Sequence, residues 1–85
     1  MSAENAGPAR LVDTIGLYCP EPIFRLRTAI DEMADGELLE MLADDPAAEE
    51  DVKRWAKRTG NEVVEFSKKG AELRFVIRKV PKAPK

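Results

Sequence analysis

The residue with the clearest chemical potential is Cys19, the only cysteine in this chain of 85 residues. It stands in the stretch "GLYCPEPIFRLRTAI", between Tyr18 and Pro20, and Pro22 follows before an amphipathic run. A lone cysteine is often no more than a small buried apolar residue. Here it occupies a strand-to-helix turn, where side chains are commonly exposed and functional. We therefore take Cys19 as the candidate nucleophile.

The composition excludes the reactions in which a thiol depends on a second cysteine or on a histidine. The chain has no second cysteine that could resolve a disulfide and no histidine that could act as a base or a metal ligand. A dithiol redox cycle, histidine-assisted acyl transfer and a Cys/His metal site are therefore not expected. What remains is a group carried on sulfur. A persulfide, Cys–S–SH, suits that role because its terminal sulfur is more acidic than a thiol, and it requires no cofactor.

The residues after Cys19 should hold its sulfur on a stiff turn and tune its acidity. Pro20 and Pro22 fix their own φ angles and push Cys19 and Glu21 toward extended conformations. The dipole of the following helix favours a thiolate, although the carboxylate of Glu21 opposes it. We therefore expect a moderately lowered pKa for the Cys19 thiol. The sequence leaves open whether the helix begins at Pro20 or at Pro22.

Four strands are predicted from the apolar pattern. Residues 10–16 read as a short strand with a turn at Gly16, and the near-continuous apolar run at 37–43 is typical of a buried strand. Residues 61–66 and 71–80 read as two further strands around a turn at "SKKG". In the last strand one face carries Leu73, Phe75 and Ile77, and the opposite face carries Arg74, Val76 and Arg78.

Two amphipathic helices fall between these strands. The first should end at "DG", with Gly36 as the residue beyond its C-terminus, and its apolar arc spans about 140°. That arc contains Ile23, Leu26, Ala29, Ile30, Met33 and Ala34. The second should begin at "DDP", with Pro46 as its first residue, and end at Gly60. Its apolar side contains Ala48, Val52, Trp55, Ala56 and Thr59. The order β-α-β-α-β-β predicts an α/β (α+β) two-layer sandwich with both helices on one face of a mixed sheet.

Asp45 and Phe24 each allow two interpretations. Asp45 is either a helix cap or part of an acidic edge near Cys19 that meets a basic partner, since the ends of parallel strands share one edge of a sheet. Phe24 either folds over the first strand or the N-terminal segment, or lies exposed beside Arg27, which is spaced to pair with Asp31. An aromatic residue next to an arginine is a typical interface anchor.

The bulk properties favour a single small domain over residues 10–80. The formal net charge is −2 and the sequence pI is about 5.2, so general attraction to nucleic acid or to an anionic membrane is not expected. No apolar run approaches the length of a membrane span, and the N-terminus has no hydrophobic signal region. We expect a cytoplasmic monomer with a flexible segment at 1–9 and a flexible basic tail at 81–85.

The stretch "IGLYCPEPIFRLRTAI", followed by "ADDPAAEEDVKRW", resembles the TusA (SirA-like) family of small sulfur carriers over residues 10–80. The Cys-Pro-x-Pro motif, the "GL" before it and the later "ADDPA" carry the resemblance. It implies a sheet of strand order 1-2-4-3 with the fourth strand antiparallel. It also implies a sulfurtransferase whose Cys19 accepts sulfur as a persulfide. The positions of the residues, and not the resemblance, lead us to expect docking at Tyr18, Phe24, Arg27 and Asp45. The donor would be a cysteine desulfurase or a rhodanese-type protein, and the acceptor a further sulfur-relay protein.

The resemblance leaves the endpoint of the relay open. Members serve 2-thiouridine formation in tRNA, sulfur oxidation, molybdenum-cofactor supply or thiosulfate uptake, and neither Tyr18 nor the C-terminal "VPKAPK" assigns a subgroup. A different class, a non-catalytic RNA-binding or regulatory module, shares the same two-layer architecture. The acidic pI and the lack of exposed aromatic runs argue against direct contact with RNA.

Overall fold

The computed structural model describes residues 10–80. The predictions for segments 1–9 and 81–85 lie outside the described residues. The elements are β1 (Arg10–Thr14), α1 (Glu21–Asp31), β2 (Leu38–Ala43), α2 (Ala48–Thr59), β3 (Glu62–Lys69) and β4 (Glu72–Arg78). The predicted order of elements is confirmed.

The strands form one mixed sheet in the order β1-β2-β4-β3, as the resemblance implied. β1 pairs with β2 in parallel, and β4 runs antiparallel to both β2 and β3. The last residues of the two parallel strands, Thr14 and Ala43, face each other in the register. The chain therefore leaves β1 and β2 at the same edge of the sheet, and the turns that follow these strands meet there.

Both helices pack on one face of the sheet and enclose a single apolar core. α1 contacts β1, β2 and α2, whereas α2 also contacts β3. Apart from Ala34, the predicted apolar residues of the two helices face the core, which is completed by alternate residues of β2 and β4. The completely buried large side chains include Leu26, Leu39, Met41, Val52, Phe75 and Ile77. Each of these contributes roughly 1.5–3 kcal/mol by leaving water.

The structure corrects the predicted end of the first helix. α1 stops at Asp31, four residues before "DG", and Glu32 is its C-cap. Gly36, expected just beyond the helix, lies in a separate turn with φ +87°. Its N–H donates to the carbonyl of Lys79, at 2.7 Å, so contact with the chain after β4 fixes this turn. As a result Ala34 is exposed, although Met33 remains buried.

Three further details differ from the prediction. α2 begins at Ala48 because the carbonyl of Asp45 first closes a turn with the Ala48 N–H at 2.8 Å, which leaves Pro46 outside the helix. β3 continues through Lys69, so the hairpin turn is shorter than "SKKG". Val76 was placed opposite the core face of β4, yet it is buried, because side chains of β2 and β3 flank this central strand. The predicted end of α2 at Gly60, with φ +86°, is confirmed.

Candidate functional site

The turn after β1 is fixed mainly by the end of β2. The hydroxyl of Thr14 is completely buried and donates to the carbonyl of Leu42 at 2.6 Å. Gly16 has φ +88°, a conformation that favours glycine, and its N–H donates to Asp44 Oδ1 at 2.9 Å. The segment that leads to Cys19 is therefore attached to the neighbouring strand before the first helix begins.

Asp45 connects the cysteine turn directly to the entrance of α2. Its Oδ2 accepts a hydrogen bond from the Cys19 N–H at 2.7 Å, and its Oδ1 accepts one from the Ala47 N–H at 3.0 Å. The residue is only 7% exposed. A carboxylate is well suited to this position because both of its oxygens are acceptors and its hydrogen bonds are strengthened by charge. Asp45 therefore fixes the backbone of the candidate nucleophile.

The two prolines that follow Cys19 have different structural roles. α1 begins at Glu21, between the two starts that the sequence left open, and Pro20 is its N-cap residue behind a cis Cys19–Pro20 peptide bond. The Glu21 N–H donates to the carbonyl of Tyr18 at 2.9 Å. Pro22, at the second helical position, is completely buried in the core, which the helical arc did not predict. Cys19 itself is exposed, so its sulfur is open to approach.

The electrostatic environment reverses the expected acidity of the thiol. The pKa of Cys19 is raised, first because protein atoms displace part of the water around the sulfur. Next in importance, the Asp51 carboxylate repels a thiolate and accepts a hydrogen bond from the protonated form, and Asp45 adds repulsion. The expectation of a lowered pKa for Cys19 is therefore wrong.

Asp51 is the site residue that the sequence reasoning missed. It lies in the first turn of α2, and its side chain is 22% exposed and 3.3 Å from Arg54. The helical pattern assigned it to the solvent side of α2. The predicted topology of the sheet could have identified Asp51. The two parallel strands place the entrances of α1 and α2 at one edge of the sheet, so the first turn of α2 must face the cysteine turn.

The predicted docking residues differ in how far they are exposed. Tyr18 is 62% exposed, Phe24 is 50% exposed and Arg27 is also exposed. Asp45, in contrast, points inward and both of its oxygens already accept hydrogen bonds. Exposure agrees with a docking role for the first three, which stays a prediction. For Asp45 the contacts favour positioning of Cys19.

Within residues 10–80, the predicted ion pair between Arg27 and Asp31 does not form. The ion pair along α1 joins Glu21 to Arg25, at 3.7 Å. Arg27 and Asp31 both line a surface groove between the C-terminal ends of the two helices, with a volume of about 510 Å³. Arg27 is therefore free of an acidic partner on its own helix, as far as the described chain extends.

A metal-binding cluster and a membrane-spanning helix are both absent from the described part of the chain. Between Arg10 and Val80, no group of three or more Cys, Asp or Glu side chains is arranged to hold a metal ion. Over the same range, neither helix has the length and apolar character needed to cross a membrane.

Comparison with known proteins finds relatives of this chain in sequence and in structure. The family model "Sulfurtransferase TusA" matches residues 10–79. A putative sulfur carrier protein of Archaeoglobus fulgidus is 56% identical over 68 residues, which cover 79% of this chain and 88% of the relative. The sulfur carrier protein TusA of Allochromatium vinosum is 38% identical, with coverages of 80% and 90%. The crystal structure of a SirA-like protein from Desulfitobacterium hafniense shares the fold, with a TM-score of 0.74 at 22% identity over 84% of this chain and 97% of that one.

Proposed function

Because this chain belongs to the TusA family of sulfurtransferases, we propose that it carries sulfane sulfur as a persulfide on Cys19. The donor is a cysteine desulfurase or a rhodanese-type protein, and the acceptor is a further sulfur-relay protein. The observation that carries the proposal is the exposed sulfur of the only cysteine, on a turn whose backbone is held by Asp45 at 2.7 Å. Such a sulfur can be reached by large partners without any rearrangement of the fold.

The loading of sulfur onto Cys19 and its transfer to the acceptor are the same thiolate–persulfide exchange in opposite directions. The Cys19 thiolate attacks the terminal sulfur of the donor persulfide, a new S–S bond forms on Cys19, and the donor leaves as a thiolate. A thiolate of the acceptor then attacks the terminal sulfur on Cys19, which releases the Cys19 thiolate. Each step consumes one thiolate and produces one, so no external oxidant or reductant is needed.

The residues around Cys19 divide into an inner and an outer group. Asp45 and Pro22 are buried and hold the turn, whereas Tyr18, Phe24 and Arg27 are exposed. We assign docking of donor and acceptor to the exposed group. Aromatic residues and arginine are the types that most often anchor protein interfaces. One small face would then serve both partners in turn.

The terminal acceptor defines the pathway. Formation of 2-thiouridine in tRNA is one endpoint that this chemistry supports, and sulfur oxidation, molybdenum-cofactor supply and thiosulfate use are others. The exchange at Cys19 is identical in all of them. What differs is the protein that takes the sulfur next, so the endpoint is assigned by the acceptor to which the loaded carrier transfers its sulfur.

The proposal is tested by incubating the protein with a cysteine desulfurase and cysteine and measuring its intact mass. We expect a gain of one sulfur atom that a reducing agent removes. The Cys19→Ser variant is the control, since a hydroxyl cannot form a persulfide. A serine variant that still gains sulfur would contradict the mechanism. So would a folded wild-type protein that gains no sulfur from either a desulfurase or a rhodanese-type donor.

A further inference from the structure

We propose that the tip of the β3–β4 hairpin (residues 68–72) is a second docking contact for the sulfur donor, and that Lys68 and Lys69 pair there with carboxylates of that protein. The proposal rests on the carrier function proposed above and adds a contact outside the group formed by Tyr18, Phe24 and Arg27. A donor that fits this surface carries acidic side chains roughly 14 Å, or three strand spacings, from the place where it meets the cysteine turn.

The register of the sheet brings the hairpin tip to the same edge as the cysteine turn. Thr14, at the end of β1, is paired with Ala43 at the end of β2. Ala43 is also paired with Leu73 in β4, and Leu73 with Lys68 in β3. One row of residues therefore crosses all four strands at this edge. Because neighbouring strands lie about 4.8 Å apart, the row is roughly 14 Å wide.

A surface depression joins the two turns along this edge. Its volume is about 390 Å³, and it is lined by Ile15, Asp44, Lys69, Ala71 and Glu72. Ile15 belongs to the turn that leads to the cysteine and is 42% exposed, whereas the last three residues belong to the hairpin tip. The surface of the cysteine turn is therefore continuous with that of the hairpin tip.

The size of an ordinary protein interface also connects the two turns. A stable interface covers about 800 Å² on each partner, and a round patch of that area has a radius of about 16 Å. The far side of the row lies only about 14 Å from β1. A donor whose interface is centred on the cysteine turn therefore reaches the hairpin tip.

The two lysines are the cations at this edge that have no ion pair among residues 10–80. The other cations near the edge, Arg25, Lys53 and Arg54, each pair with a carboxylate of their own helix. Both lysines are exposed, and Lys69 forms no ion pair with its cross-strand neighbour Glu72. Such cations complement a protein surface that presents carboxylates, and complementary charges speed association and fix its orientation.

The consequence of a second contact is the orientation of the donor. A donor held only at the cysteine turn could rotate about the reacting sulfur. A contact on the other side of the edge prevents that rotation and keeps the donor sulfur aligned with Cys19, which favours the exchange.

The test is the affinity for sulfur donors after both lysines are neutralised. The probes are a cysteine desulfurase and a rhodanese-type protein, and binding is followed by surface plasmon resonance. We expect the double variant Lys68→Gln, Lys69→Gln to bind its donor about 3–10-fold more weakly at low salt, mainly through slower association. The difference should shrink in about 0.5 M salt, because salt screens exposed charges.

The double variant Lys57→Gln, Arg58→Gln is the matched control. These exposed cations lie in the last turn of α2 and also have no ion pair within the described residues. They lie at the opposite edge of the sheet, where α2 leads into the start of β3. Each double variant removes two cations and changes the formal net charge from −2 to −4. We expect the control to bind within about twofold of the wild type, and Lys68→Arg with Lys69→Arg to bind like the wild type.

Equal affinities of the hairpin variant and the wild type, or equal losses in the hairpin variant and the control, would overturn the docking role. So would an unchanged affinity for the donor with a lost affinity for RNA, which would assign the lysines to a nucleic acid. A wild type that binds neither donor would also overturn it.

Binding and sulfur loading are measured separately, so the docking contact and the carrier function can fail independently. A lysine-dependent complex in which Cys19 never gains sulfur would refute the carrier function and leave the contact intact. Normal loading with equal affinities would refute the contact and leave the carrier function intact.

Discussion

Replacing Asp45 by asparagine tests how the nucleophile is held. Both Asp45 oxygens accept backbone N–H groups, from Cys19 at 2.7 Å and from Ala47 at 3.0 Å. An asparagine has one acceptor oxygen, and its other terminal group is an NH₂ donor. In either orientation the NH₂ group therefore faces a backbone N–H, and one part-buried donor loses its acceptor. A simple helix cap would tolerate this change, because asparagine caps helices about as well as aspartate.

The size of the effect follows from that lost acceptor. A fully buried donor without a partner costs about 1–3 kcal/mol. Because both donors here are only part-buried, we take the lower end, roughly 1 kcal/mol, as the expected loss in the free energy of unfolding. For a domain of this size each 1 kcal/mol lowers the melting temperature by about 4–8 °C, so Asp45→Asn should melt about 4–8 °C lower. Transfer of sulfur to Cys19 should also slow, because the turn that presents the thiol loses its attachment to α2.

Asp44→Asn is the control for the Asp45 experiment. Asp44 precedes Asp45, but a single hydrogen bond joins it to the turn, from the Gly16 N–H to Oδ1 at 2.9 Å. An amide oxygen can accept that bond while the NH₂ group turns to water, so we expect a change within about 0.5 kcal/mol. Melting followed by circular dichroism, together with the rate of sulfur loading, decides the matter. Equal melting temperatures for the two variants, both close to that of the wild type, would refute the bridging role of Asp45.

Three other outcomes follow from the described contacts. Cys19→Ser should lose sulfur acceptance and keep its melting temperature, since the side chain is exposed; unfolding of this variant would reveal a structural role. Phe24→Ala should weaken binding to a sulfur donor by about 2 kcal/mol, roughly 30-fold, with little change in stability, as measured by titration calorimetry and thermal melts. The control Phe75→Ala removes a completely buried ring and should cost about 3–5 kcal/mol of stability; a similar loss in Phe24→Ala would place that ring in the core. Gly60→Ala, at φ +86° with open space around it, should cost about 1–2 kcal/mol in urea unfolding, and an unchanged midpoint would contradict the left-handed end of α2.

The sequence predicted the layers of this fold because its apolar periodicity is a local property. In both helices the pattern identified the residues that face the sheet, and the alternation at Leu73, Phe75 and Ile77 identified the inner face of β4. The order of the strands came from the family resemblance. The end of α1 could not be predicted locally, since the Gly36 turn is fixed by a hydrogen bond to Lys79, far away in the chain.

The candidate site was predictable only in part, because some of its contacts come from distant parts of the chain. Cys19 is exposed in the predicted turn, and the proximity of Asp45 follows from the parallel strands that precede both loops. Asp51 was missed, and the sign of the thiol pKa was wrong. The sequence of α1 shows the helix dipole and Glu21, but neither the water displaced around the sulfur nor the carboxylates of Asp51 and Asp45. The causes that raise the pKa of Cys19 therefore come from the folded surroundings of the thiol and not from its own motif.

The division between buried and exposed residues around Cys19 has an evolutionary consequence. Asp45 and Pro22 face inward and fix the turn, whereas the side chains of Tyr18, Phe24 and Arg27 are exposed to solvent. Substitutions on the outer surface can accumulate without loss of the reactive thiol, because they leave its supports untouched. Duplicated copies of such a gene can therefore diverge in the proteins that they recognise while the reaction stays constant. The same separation offers protein engineers a carrier whose recognition surface can be redesigned independently of its chemistry.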